Sequence, residues 1–129
     1  MIKEFEGITF SLTEEEIKDA QILANAFRTM KKGKEHALTS TEITKRLSTI
    51  QVKAEGIRLR KLINYIRNND LVSGLCSTSS GYFMAATQKE FYDTLKSLKD
   101  RIHNQTFTYE NLFRQYKKEY VDPKSKELI

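Results

Sequence analysis

The chain has 129 residues, 39% apolar and 30% charged, with five glycines and one proline, which is the length of one domain and the composition of a helical globule. Its one cysteine, Cys76, excludes an internal disulfide framework and a four-cysteine zinc site; no apolar run reaches membrane length, and Glu4 and Glu6 stand where a secretory signal needs a basic end, so a cytoplasmic protein with no membrane association is expected. The net charge of +5 is uneven: residues 1–20 hold two bases and six acids, residues 28–61 ten bases and three acids, and residues 62–129 ten bases and eight acids. That clustering fits an anionic partner, and it equally fits a solvated lysine-rich face.

In chain order, the alternating Ile8, Phe10 and Leu12 predict a short strand with one buried face. Thr13-Glu14-Glu15-Glu16 reads as a capping box with acids in the first helical turn, where they complement the helix dipole. Ile17, Ala20, Ala24, Phe27 and Met30 then step by three or four, a first helix stopped near Lys31-Lys32-Gly33. After a connection containing His36 and Leu38, the box Thr39-Ser40-Thr41-Glu42 opens a short second helix through Ile43 and Leu47. The residues Thr49-Ile50-Gln51-Val52-Lys53 lack helical periodicity and are expected to be a turn. A third helix follows, from about Ala54–Ile57 to Asn69, burying Leu59, Leu62, Ile63 and Ile66 with Tyr65 at the edge of the stripe and Gly56 near its start.

The period then changes. Leu71–Ser77 and Tyr82–Ala86 are candidate strands of a hairpin closed by Thr78-Ser79-Ser80-Gly81. A third capping box, Thr87-Gln88-Lys89-Glu90, opens a helix with the seam Phe91, Leu95, Leu98 and Ile102. A break is expected at Asn104-Gln105-Thr106, after which Tyr109, Leu112, Phe113 and Tyr116 form another apolar face, and the chain frays from Val121 onward. The expected fold is therefore mainly α with a small β-hairpin, an α+β class, with one domain over residues 1–105 and a helical extension over 106–129.

Helix, short helix, turn, longer helix and hairpin is an order that resembles the winged helix-turn-helix proteins of bacteria and bacteriophages. The resemblance spans roughly Leu12 to Ile102 and rests on the run Leu38 to Leu47, the run Gly56 to Arg67 and the run Ser77 to Tyr82. The family implies a non-enzymatic protein that binds double-stranded DNA with the third helix in the major groove, such as a transcriptional regulator or a phage DNA-transaction factor in the bacterial cytoplasm or nucleoid. At about 100° per residue, the face opposite the buried stripe holds Ile57, Arg60, Lys61, Asn64 and Asn68, joined by Lys53 if the helix extends back to it, with Arg58 and Arg67 on its flanks. Under the resemblance, Arg58, Arg60, Lys61 and Asn64 enter the groove, Lys53 and Arg67 meet phosphate, Lys45 joins the DNA-binding surface, and Ser79 and Ser80 form the tip of a wing that carries no cation.

Arg58 has an internal alternative, pairing with Glu42 or Glu55, and Ile57 could meet a thymine methyl or fold back as a hydrophobic staple. Other chemistry is thin. His36 and His103 lack companions at metal-ligand spacing, Cys76 sits in an apolar strand, and no glycine-rich phosphate loop occurs, so no enzyme, metal or cofactor is expected. The Phe91, Leu95, Leu98 and Ile102 seam has two readings, a homodimer interface or a cover for the first helix and the sheet. A winged fold also serves protein contact, so the competing function is an adaptor or inhibitor with an acidic-surfaced protein partner, in which the acidic N-terminal segment supplies a docking surface of its own.

Overall fold

Two of the described helices open on the capping boxes that the sequence predicts. In the computed structural model, which describes residues 11–120, Thr13 caps helix α1 (Glu14–Thr29). Its hydroxyl accepts from the Glu16 N–H at 3.1 Å while the Glu16 carboxylate accepts from the Thr13 N–H at 3.0 Å. Thr39 and Glu42 repeat this reciprocal pair at the start of α2 (Ser40–Ser48). Helix α3 (Ile57–Asn68) starts differently, from Gly56 in a left-handed conformation with no side-chain cap. The strand expected around Ile8 and Phe10 and the fraying expected beyond Val121 lie outside the described residues.

The buried stripe of α1 is Ala20, Leu23, Ala24 and Phe27, extended toward the N-terminus by Glu16 and Asp19 rather than by Ile17. It packs on α3, whose Leu59, Leu62, Ile63 and Ile66 are all buried as the sequence indicates. Ile43 and Leu47 of α2, Val52 and Ala54 of the following turn, and Leu75 and Met84 of the hairpin complete the core. The turn after α2 is held by Thr44, whose hydroxyl donates to the Ala54 carbonyl at 2.7 Å.

Strands β1 (Leu75–Thr78) and β2 (Gly81–Met84) pair antiparallel, with Thr78 opposite Gly81 across the Ser79-Ser80 turn. Both are shorter than the sequence suggests. Leu71 and Val72 instead pack as half-buried apolar residues in the connection, and Gly74 turns the chain at φ 90°. The connection before α2, which contains a one-turn 3₁₀ helix at Lys34–His36, joins the hairpin through Leu38. Leu38 and Tyr82 exchange two backbone hydrogen bonds at 2.8 and 2.9 Å. A Cβ on Gly81 would overlap the Leu38 carbonyl, so this close approach requires glycine there.

Helix α4 (Gln88–Tyr120) is the main departure from expectation. The predicted break at Asn104-Gln105-Thr106 does not occur, and the boundary placed at residues 105/106 falls within continuous helix. Neither glycine nor proline occurs between Gln88 and Tyr120, and three polar residues by themselves cost a helix only a few tenths of a kcal/mol each. The third capping box forms by half: the Glu90 N–H donates to the Thr87 hydroxyl, but the Glu90 carboxylate accepts from the Ala86 and Lys34 N–H groups. The chain divides into two compact units, Met1–Thr94 and Leu95–Ile129. Among the described residues, no helix is long and apolar enough to cross a membrane.

Candidate nucleic-acid interface

The third helix presents its polar side as the heptad geometry requires, but its cations do not share one fate. Arg58 turns toward α1. Its guanidinium donates to Glu16 at 3.0 Å and to Asp19 at 2.7 Å, and its Nε donates to the Lys53 carbonyl at 2.6 Å. The internal pairing expected with Glu42 or Glu55 is thus made with two other carboxylates, both buried. Lys61 follows it, lying 3.3 Å from Glu16 and keeping about a quarter of its side chain exposed. Thus two of the four residues assigned to the groove make a half-buried ion-pair cluster on the α1 side of α3.

Glu16 is the acceptor that organises this cluster. Its carboxyl is held below the ordinary value, first by the hydrogen bond from the Thr13 N–H and then by Lys61 and Arg58, while burial opposes the shift. Three groups therefore converge on one carboxylate, and one of them, the Thr13 N–H, belongs to the cap of its own helix. The sequence carries a signal for this role. Counting back from Phe27, Leu23 and Ala20 by the helical period reaches Glu16 and Asp19, so the acids occupy the core-facing side.

On the opposite flank, Arg67 points to the hairpin. Its Nε donates to the Leu75 carbonyl at 3.0 Å, its Nη2 to the Ser77 hydroxyl at 3.3 Å, and its guanidinium lies 6.0 Å from the Tyr82 ring centroid. The expected phosphate contact is therefore a strut that fixes β1 against α3. Between the two flanks runs an outer ridge of Ile57, Arg60, Asn64 and Asn68. Ile57 is 71% exposed and does not fold back as a staple. Arg60 and Asn68 are exposed and Asn64 is half-buried.

Lys45 and Lys53 are exposed at the α2 side of this ridge. An open groove lined by Ser40, Thr41, Thr44, Lys45, Ser48, Glu55 and Gly56 runs along α2 beside the start of α3. Ser79 and Ser80 are exposed at the hairpin tip, where the Ser80 N–H donates to the Thr78 hydroxyl. Of the seam residues, Phe91 lies beside Gly74 within the first unit, Leu98 is half-buried, and Leu95 and Ile102 are exposed. No protein family, curated protein or solved structure matches the chain.

Proposed function

We propose that the first unit is a winged helix-turn-helix module that binds double-stranded DNA, with the outer ridge of α3 in the major groove. One observation carries the reading: opposite its buried stripe, α3 presents Arg60, Asn64 and Asn68 on a single ridge, flanked by Lys53 and Lys45. Arginine matches guanine O6 and N7, and asparagine matches adenine N6 and N7. Ile57 supplies an apolar contact for a thymine methyl. The start of α3, with no side-chain cap, offers backbone N–H groups to phosphate beside Lys53. Arg58, Lys61 and Arg67 position this ridge: the first two tie α3 to α1, and the third ties it to the hairpin. The role is that of a cytoplasmic regulator or DNA-transaction accessory factor.

The test is duplex binding across a salt series. Wild-type protein should be retained on mixed duplex DNA at low ionic strength and lose affinity steeply as salt rises. Arg60→Ala with Lys53→Ala should lower affinity roughly 10- to 100-fold and reduce the salt slope by about one for each phosphate no longer neutralised. The absence of salt-sensitive retention would overturn the reading. It would favour protein contact through the exposed Ile57 ridge, since Arg58 and Lys61 are already neutralised by α1 carboxylates.

A further inference from the structure

The continuity of α4 unites two apolar sets that a break would have separated. Leu95, Leu98, Ile102, Gln105, Tyr109, Leu112, Tyr116 and Glu119 follow one another at steps of three and four without a slip. Six of the eight are apolar or aromatic, and the sequence holds the strict two-per-heptad spacing of a coiled-coil seam. The buried stripe of α3 is wider, because Leu59, Leu62, Ile63 and Ile66 include adjacent residues. A helix that packs on a globular core uses the wide form, and one that packs on a single partner helix uses the narrow one. Among the described residues, four of the six apolar side chains of the narrow seam are more than half exposed, Leu95, Ile102, Tyr109 and Leu112 at 55%, 64%, 62% and 59%, while Tyr116 is 37% exposed and Leu98 half-buried.

We infer that residues 95–119 of α4 pair antiparallel with the same segment of a second copy of this chain. The length and area suit that occupant. Six apolar side chains burying on the order of 100 Å² each give roughly 1,200 Å² over two copies, the lower bound of a stable specific interface. The charges decide the orientation. Lys99 and Arg101 are the charged residues in the positions flanking the seam, and both lie in its first half. Parallel pairing gathers four cations around the two Ile102 side chains. Antiparallel pairing separates them and sets the helix dipoles head to tail.

The register that uses the whole segment is centred on residue 107. It stacks Leu98 on Tyr116 of the second copy and Ile102 on Leu112 of the second copy. The polar Gln105 then meets the hydroxyl-bearing Tyr109 of the second copy, twice across the two-fold axis, which is the kind of buried polar layer that fixes coiled-coil register. Lys99 comes to lie against Phe113 of the second copy, a contact of the type Lys117 already makes with Phe113 at 4.9 Å within one chain. Phe107, although apolar and 62% exposed, sits outside the seam.

Spin labels on Ser97→Cys, in the full chain, test both the pairing and its direction, because Cys76 is fully buried and shielded from the reagent. The antiparallel register separates the two labels by 20 residues of helix, about 30 Å. Sedimentation should give a dimer, and Ile102→Lys should weaken it roughly 100-fold or more while Phe107→Lys leaves it unchanged. A chain that remains monomeric at about 100 μM would overturn the proposal. So would a label separation under about 20 Å, which parallel pairing gives, or a dimer indifferent to Ile102→Lys.

Discussion

Helices α3 and α4 each carry a leucine- and isoleucine-rich stripe, yet Leu59, Leu62, Ile63 and Ile66 are at most 2% exposed while Leu95 and Ile102 are more than half exposed. Helical periodicity reports that a stripe exists. The width of the stripe, and what the chain places opposite it, decide what it does. Opposite α3 stand α1, α2 and the hairpin, three surfaces that demand a broad face. The second unit, Leu95–Ile129, contains no described element other than the rest of α4, so its stripe has no counterpart there.

The largest expected effect separates the two stripes directly. Leu62 is fully buried, and Leu62→Ala should cost about 2–5 kcal/mol through lost burial and a residual cavity. Leu112→Ala removes the same atoms from a residue 59% exposed within one chain, and at low protein concentration it should change stability by less than about 0.5 kcal/mol. Urea unfolding of both variants at about 1 μM measures the contrast. Equal losses at that concentration would mean that α4 is packed within its own chain, and the two stripes would no longer differ in kind.

Most of the fold was legible because its signals are local. The Thr13 and Thr39 boxes, the α3 stripe and the Ser79-Ser80 turn need only neighbouring residues to be read. What escaped was either non-local or misweighted. The Leu38–Tyr82 bridge joins residues 44 apart, and no periodicity marks a two-residue pairing. Asn104-Gln105-Thr106 has the composition of a loop, although counting by three and four from Ile102 places Gln105 on the seam and carries the register through to Tyr109. At the candidate site, helical arithmetic located the ridge of Ile57, Arg60, Asn64 and Asn68. It could not assign Arg58, because its partners Glu16 and Asp19 lie about 40 residues away.

Arg58 supplies the next effect in size. Arg58→Ala leaves Asp19 without its ion-pair partner and Glu16 with Lys61 alone, both carboxylates being buried. The cost should be about 1–3 kcal/mol, moderated because Arg58 is itself partly exposed and water can enter the gap. Thermal unfolding of the variant checks the value, and an unchanged midpoint would show that the cluster orients α3 without stabilising it. That outcome would bring α3 closer to α4, as a helix whose polar flank is energetically idle.

The smallest effect is a pH dependence of the same cluster. Glu16 has a folded-state pKa below its ordinary value of 4.5, chiefly because its carboxylate accepts the Thr13 N–H and then because Lys61 and Arg58 face it. A carboxyl whose pKa is lower folded than unfolded binds fewer protons in the folded state, so its contribution is fully present above about pH 4.5 and is lost as the pH falls through the folded value. Glu42 is shifted in the same direction by its capping bond with Thr39, and Glu90 by the Ala86 and Lys34 N–H groups from which its carboxylate accepts, but both lie in more solvated positions. The urea midpoint should therefore stay level from neutral pH down to about 5 and then decline, and Glu16→Gln should shallow that acid limb while lowering the neutral plateau. The seam of α4 has Glu119 as its one carboxylate, at its end. Acid should thus weaken the anchoring of α3 before it touches the apolar layers of α4, and an acid limb unchanged in Glu16→Gln would relocate the titration to Glu42 and Glu90.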